Sequence, residues 1–426
     1  MSSFPFKVSP LIVGSLSLIF SSLAIAEEPL TLEKAVMQVK ENPAYLARKA
    51  SASAWSFIPE QAGGLPDPVL SLGALNFPTD TFARDQENMT QLQVGISQAL
   101  PFPGKLELRE KFALYMAKAA ADDVDELRLQ LVSQAKVNWW NLYYLDRALE
   151  IVVRNQELLR QFVRIAETKY TVGEGLQQDV LLAQLELSQL IDRQIQLKAI
   201  RSQEQSRLNA LLNRPISQEV VLPEKVEEML PGIGSEELLM NQALASRPLL
   251  AQQQQYIQAA EANTNLAEKD YYPDFKVGAS YGLRDTNPIT GLNRADLGSI
   301  TLSMTLPFFT SNQQDAQLEQ RQAERMKAEF SYQDVQEKVQ AEVRIEIAAY
   351  EKAKQQVSLY KQGIIPQATQ TVASMLAAYQ VNKVDFLNLV RTQVTLYNYE
   401  TQYWKVLAEA NQSLARLDAA TGRMEQ

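Results

Sequence analysis

Gln91-Leu92-Gln93-Val94-Gly95-Ile96-Ser97-Gln98-Ala99-Leu100 decides the reading of this chain. Successive side chains of a strand point to opposite sides, so Leu92, Val94, Ile96 and Leu100 share one face while Gln91, Gln93, Gly95 and Ser97 share the other. Three further segments alternate in the same way. Asp274 to Leu283 opposes Phe275, Val277, Ala279, Tyr281 and Leu283 to Lys276, Gly278, Ser280 and Gly282. Asp296 to Leu306 opposes Ile300, Leu302, Met304 and Leu306 to Ser299, Thr301, Ser303 and Thr305. Val69 to Phe77 follows the pattern least well, with Leu70, Leu72 and Ala74 on one face. Segments of about ten residues suit a tilted strand crossing a bilayer, and apolar-out with small-polar-in is the pattern of a transmembrane barrel. A half-buried antiparallel sheet in a soluble protein alternates identically. The surroundings must separate the two readings.

The four segments form two hairpins, joined by the polar loops from Pro78 to Met89 and from Arg284 to Ala295. Four strands leave two unpaired edges, which lipid does not tolerate, so a membrane reading requires several copies to pool their strands. The hairpins also belong to a duplication. Leu100-Pro101 recurs as Leu306-Pro307, and Asn42-Pro43 is answered by Arg247-Pro248 in a second Ala-rich helical segment. Tyr170, Val172, Gln184 and Leu187 face Tyr379, Val381, Gln393 and Leu396 at a constant offset. A unit this long is no solenoid repeat, so the protomer has two similar halves and function should sit where they face each other.

After each second strand comes a long helical stretch. No Gly or Pro interrupts the chain between Gly104 and Lys169, enough for a rod of roughly 100 Å at 1.5 Å per residue. Leu127, Leu131, Trp139, Leu142, Leu149 and Val153 lie along it with Gln, Arg, Asn and Glu between them, the seam of a helix packed lengthwise on neighbours. A return helix is expected from about Gln178 to Leu212, and the second copy repeats the scheme from about Gln313 to Tyr379 and from Val384 to Leu417. Pro366 lies inside the second rod and should kink or break it near Gly363 to Pro366.

Composition narrows the function classes. The first 26 residues carry Lys7, an apolar run from Leu11 to Leu23 and the ending Ala24-Ile25-Ala26, which read as a cleaved secretory signal. Its removal would leave a net charge of −10, so nucleic acid is not an expected partner. With no Cys there are no disulfides, thiolate metal sites or lipid-anchored amino terminus, and with no His the usual general base and metal ligand are missing. No catalytic residue, metal site or cofactor is expected, and the ten Met are scattered.

Together these features resemble the outer-membrane efflux protein family, the TolC-like exit ducts. The likeness covers nearly the whole chain after the signal. Leu100-Pro101-Phe102-Pro103-Gly104-Lys105, where strand passes into helix, is similar to the branch serving heavy-metal pumps of the resistance-nodulation-division type. The resemblance implies an α + β membrane protein, a homotrimer with four strands per protomer in a twelve-stranded barrel embedded in outer-membrane lipid and continued by a periplasmic helical barrel. It also implies a periplasmic adaptor and an inner-membrane pump as partners. The expected division is 1–26 signal, 27–214 first repeat, 215–234 linker and part of an equatorial belt, 235–422 second repeat and 423–426 tail. Function would be that of an exit duct in a tripartite efflux system, with heavy-metal cations among the candidate substrates. A protein-secretion duct of the same fold, a periplasmic coiled-coil scaffold and a carboxylate glycosidase are the alternatives.

The same resemblance assigns sites. Gln93, Ser97, Ser280, Thr301 and Ser303 would line the pore. Val172, Gly173, Glu174, Gly175 and Leu176 would form one adaptor-binding tip, and Val381, Asn382, Lys383 and Val384 the other. Tyr379 and Asp179 match positions that join neighbouring hairpins in the closed gate, while the latch's basic partner falls on Val384, leaving Lys383 as the only local cation at the second tip. Carboxylate rings above the second tip in family ducts correspond here to Asn388 and Arg391, which points to a neutral or cationic constriction. Asp385 stands close by, either as a substitute carboxylate or as a helix cap.

Overall fold

The computed structural model describes residues 28–381 and 383–423. The expected signal, Asn382 and the last three residues lie outside the described residues. Three short helices open the chain: α1 (Leu32–Gln38), α2 (Pro43–Trp55) and α3 (Ile58–Gly63). Asn42 caps α2, its carboxamide oxygen accepting from the Ala44 N–H at 2.8 Å, and Pro43 fits at the first helical position, where no donor is needed. β1 (Val69–Leu75) and β2 (Gln91–Leu100) follow, then α4 (Lys105–Thr171) and α5 (Gln177–Leu211). The second half repeats the order with α6 (Glu236–Ser246), α7 (Pro248–Lys269), β3 (Phe275–Leu283), β4 (Leu297–Met304), α8 (Gln314–Leu359), α9 (Ile365–Gln380) and α10 (Phe386–Ala420).

The strands form one antiparallel sheet in the order β1-β2-β3-β4. The two hairpins therefore meet along β2 and β3, so the duplicated halves share one sheet and leave β1 and β4 as its edges. Register keeps the faces pure. Leu72, Val94 and Tyr281 stand side by side, as do Leu70, Ile96, Ala279 and Ile300, while Ser71, Gly95, Ser280 and Ser299 line up on the reverse. The apolar face is uncovered in the single chain: Leu72, Ile300 and Leu302 are 77%, 87% and 66% exposed. An isolated soluble sheet would bury this face, because large uncovered apolar patches mark an interface or a membrane.

Sheet passes to rod at Pro101 to Lys105. Gly104 adopts φ 91°, a left-handed conformation that glycine takes without a Cβ penalty. Lys105, 3% exposed, places its ammonium 3.0 Å from a carboxylate oxygen of both Asp270 and Asp274. Asp274 also accepts from the Phe102 N–H at 2.7 Å, and the Phe102 ring stacks on Tyr272 at 4.5 Å. The first half is thus riveted to the second where barrel becomes helix.

At 67 residues α4 is the spine, packed against α2, α3, α5, α7 and α10. Its cores form a chain of clusters, as expected of a rod with no globular centre. The largest gathers Trp139, Trp140 and Tyr143 with Leu208, Leu212, Val220 and Leu222, and the Trp139 indole N–H donates to the Leu30 carbonyl at 2.8 Å. Residues 213–234 hold no helix or strand and run across the helices. Tyr350 donates to the Pro231 carbonyl at 2.5 Å, while Glu228 accepts from Lys361 and Tyr403, each at 2.5 Å. Nearby, the only ion pair so deeply buried among the described residues joins Arg247 and Glu126, both 5% exposed at the side chain, through two bonds of 2.9 and 2.8 Å. The same guanidinium donates to the Ala419 carbonyl at 2.9 Å, tying the start of α7 to the end of α10.

Pro366 does not break the second rod. Tyr360–Ile364 form a π turn in which the Ile365 N–H reaches the Tyr360 carbonyl five residues back. The wider turn absorbs the missing proline donor, so α8 and α9 remain one path, and the irregularity precedes the proline instead of centring on it.

Candidate pore and gate

Strand alternation gathers the expected pore residues on one face. Ser97 and Thr301 flank Gly278, Ser303 pairs with Lys276, and Gln93 donates to the Ser280 hydroxyl at 2.6 Å across β2 and β3. Small residues and one amide offer hydroxyl and carboxamide groups without steric bulk, which suits a water-filled passage. Beyond the strands the two loops are laced together. Arg294 donates to the Glu87 and Asp85 carbonyls at 3.0 Å each, Arg284 to the Asn88 carbonyl at 2.6 Å, and Arg84 pairs with Asp285 at 3.1 Å. Sequence reasoning missed Arg284 and Arg294 because their acceptors on the facing loop are backbone carbonyls, which leave no side-chain signature.

At the opposite end α4 stops in a Schellman turn. Glu174 N–H donates to the Lys169 carbonyl at 2.9 Å, Gly173 N–H to the Tyr170 carbonyl at 3.1 Å, and Gly173 takes φ 79°. A Cβ on Gly175 would stand 2.9 Å from that of Lys169, so only glycine lets the chain turn so closely. Val172 and Leu176 are exposed on this tip. At the second tip Val381 and Lys383 are exposed, and Val384 packs into the core below. Asn382 lies outside the described residues.

Above the tips the gate candidates divide. Asp385 caps α10, accepting from the Asn388 N–H at 2.9 Å. Asp179 sits in the first turn of α5 beside the Leu176 N–H, and burial, only partly offset by that hydrogen bond, raises its carboxyl above the ordinary carboxylate value; the nearby Asp385 charge acts in the same direction. Tyr379 is 5% exposed, tilted against Phe386 at 5.2 Å, and its hydroxyl has no partner among the described residues. No hydrogen bond joins it to Asp179 within the protomer. Lys169 of α4, on the other hairpin, donates to the Tyr379 carbonyl at 3.1 Å and stands 4.8 Å from its ring centre. No pattern in the sequence points to Lys169, because it lies on the first hairpin and meets Tyr379 only through folding.

α10 buries Phe386, Leu389, Val390, Gln393 and Leu396 on one face. Asn388, Arg391 and Asn398 are exposed on the other, a polar stripe produced by helical spacing. Higher up, a groove of about 550 Å³ among α4, α5 and α10 continues it past Arg193, Gln402 and Lys405. No group of three or more His, Cys, Asp or Glu among the described residues is arranged to hold a metal ion. No described helix is long and apolar enough to cross a membrane.

An amphipathic four-stranded sheet carried on rods of this length is the TolC-like fold seen in solved outer-membrane channels. The outer-membrane channel OprN superposes with a TM-score of 0.78 at 18% identity, over 92% of this chain and 89% of that one. Residues 239–423 match the sequence model of the outer membrane efflux protein family. The chain is 26% identical over 298 residues to the outer membrane efflux protein BepC of Brucella suis, covering 68% of this chain and 63% of that one. It is 24% identical over 198 residues to the cobalt-zinc-cadmium resistance protein CzcC of Cupriavidus metallidurans, covering 46% of this chain and 45% of that one. The chain therefore spans less than two thirds of the length of these two relatives. The matched family model and the solved structures of this fold are those of outer-membrane efflux proteins and channels, not of enzymes.

Proposed function

We propose that this chain is the exit duct of a tripartite efflux system, a trimer that receives substrates from an inner-membrane pump through a periplasmic adaptor docked at the tips 172–176 and 381–384. The observation that carries this reading is the sheet with one bare apolar face, one small-polar face and two open edges, continued by helical rods. Two repeats, 27–214 and 235–422, would each supply one strand hairpin, half of the protomer's sheet, and one helical hairpin, with 215–234 in a belt around the middle. Heavy-metal cations are the favoured substrates, from the likeness to a cobalt-zinc-cadmium resistance protein. With neither Cys nor His, the duct itself has no soft-metal ligands for choosing among them, and discrimination falls to pump and adaptor. A deletion strain should become sensitive to divalent heavy metals while secreting its proteins normally. Lost secretion with unchanged metal and drug tolerance would overturn the proposal.

The constriction should favour anions or show little preference, because Asn388 and Arg391 occupy the exposed stripe of α10 just above the second tip. Arg391→Asp is expected to move the reversal potential of planar-bilayer currents toward that of the cation. An unchanged potential would place Arg391 outside the narrowest passage.

A latch between hairpins would require the Tyr379 hydroxyl, buried without a hydrogen-bond partner among the described residues, to turn outward toward an acceptor such as Asp179. Tyr379→Phe and Asp179→Ala should each raise single-channel conductance, and the double variant should add little to the larger effect. If Tyr379→Phe conducts like the parent with trimers intact, the hydroxyl is only a packing defect that phenylalanine repairs.

A further inference from the structure

The groove among α4, α5 and α10 is a second concave feature of the helical wall, above the gate candidates. Its floor is apolar and aromatic: Tyr144, Leu190, Val394 and Tyr397 line it and belong to the clusters that pack the three helices together. Its rim is polar, with Gln189 on α5 and Asn398 and Gln402 on α10. Rings beneath amides and charges are the make-up of a small-molecule site, and about 550 Å³ falls within the roughly 300 to 1,000 Å³ that such sites span. Charge here runs against the rest of the chain. The lining holds two cations, Arg193 and Lys405, and one carboxylate, Glu186, in a protein of formal net charge −9. Neither cation is taken up by a close ion pair. Lys405 stands 3.8 Å from Glu409, and Arg193 donates to the neutral Gln196 amide oxygen at 3.3 Å. The Tyr144 hydroxyl has no hydrogen-bond partner among the described residues, and burial, only partly offset by Arg193, raises the phenol above its ordinary value, so it stays a donor.

Residues 213–234, which run across the helices, tell the two sides of the wall apart. Glu228 accepts from Tyr403 of α10, and the Glu224 carbonyl accepts from Tyr143 of α4 at 3.2 Å. Helical spacing turns Arg391, Asn398, Gln402 and Lys405 to the other side of α10, away from Tyr403. Irregular chain laid across the helices would obstruct a passage from within, so this segment marks the outside of the duct and the groove opens on its lumen, on the same stripe as Asn388 and Arg391. Resting on the proposed duct, we infer that the groove is a binding station on the lumen wall for an aromatic organic anion. Arg193 and Lys405 hold its carboxylate or sulfonate through charge-assisted bonds, Tyr144 donates to it, and the floor takes its flat apolar body. The station adds a second class of cargo to the heavy-metal cations. With a single carboxylate in the lining and neither Cys nor His in the chain, the groove has nothing to detain a divalent metal.

Equilibrium dialysis of the detergent-purified protein against naphthalene-2-sulfonate, read by the probe's own fluorescence and corrected with protein-free micelles, should show saturable binding. Arg193→Gln combined with Lys405→Gln should weaken that binding about tenfold, and Tyr144→Phe about threefold, as expected for losing charged and neutral hydrogen bonds. Arg164→Gln removes an exposed charge elsewhere on α4, 61% exposed at the side chain, and should bind like the parent. Naphthalene-2-methanol, the same ring without the charge, should bind about tenfold more weakly than the sulfonate. No saturable binding to the parent, undiminished binding in the double variant, or equal binding of the uncharged ring would each overturn the site. In planar bilayers the sulfonate should reduce the current through the parent and not through the double variant. Channels whose current the probe leaves unchanged would put the groove off the lumen and overturn the station, whereas folded parent protein that forms no channels would sink the duct reading beneath it.

Discussion

Arginine at Val94 or at Leu302 is expected to cost about 2 to 4 kcal/mol of membrane assembly if the site lies near the bilayer midplane, leaving little folded oligomer in the outer membrane. Both side chains lie on the bare apolar face, 45% and 66% exposed in the single chain, where lipid would replace water as their solvent. A guanidinium placed there must drag water inward or stretch to the headgroups, and either adjustment strains the barrel. Ser97→Arg and Thr301→Arg carry the same charge on the reverse face, beside Gly278, where aqueous space should accept it. Those two variants should assemble normally and lower conductance. Heat-modifiable migration on gels checks assembly and planar-bilayer recording checks conductance; equal loss of assembly from both faces would mean that the sheet is not a membrane wall.

Glu126→Ala should destabilise the folded protomer by about 3 to 5 kcal/mol, because it strands the Arg247 guanidinium, 5% exposed, without its carboxylate. Glu342 at 3.5 Å is 44% exposed and cannot replace a bidentate buried partner. Removing both charges with Glu126→Leu and Arg247→Met should recover much of the loss, since an apolar pair avoids desolvating either ion. Chaotrope unfolding in detergent, followed by far-UV dichroism, measures the difference. A single-variant cost below about 1 kcal/mol would show that water reaches the pair and screens it, as at exposed sites.

Strand existence and face were legible in the sequence because lipid and water impose opposite demands on alternate residues, and Gln91 to Leu100 carries both demands without interruption. β4 is expected to reach Leu306 but ends at Met304; one more bond, from the Thr305 N–H to the Asp274 carbonyl at 3.0 Å, precedes Pro307, which has no donor to continue the ladder. The long rods were legible from the absence of Gly and Pro. Contacts between distant segments were not. Lys105 meets Asp270 and Asp274 across about 165 residues, and no periodicity announces such a pairing. At the gate, Asp179, Tyr379 and Asp385 could be named from the resemblance, but their roles depend on burial and on which backbone donors lie near. Asp385 and Asp179 both lie where helix N-terminal N–H groups are free, so local capping chemistry competes with any long-range role.

The π turn at Tyr360–Ile364 gives the second rod a fulcrum. On its upper side Glu228 and Pro231 clamp the helices through Lys361, Tyr403 and Tyr350. Below it α9 runs a further 16 residues, about 24 Å at 1.5 Å per residue, packed along α10 and tied to α4 by the Lys169–Tyr379 bond. The first rod has no such joint, because α4 runs 67 residues without a break. Stiffness is therefore unequal around the ring. A pull on the tips would swing the jointed arms while the unbroken ones hold their line, so the aperture would dilate by alternate blades, and the sheet above would feel none of the strain.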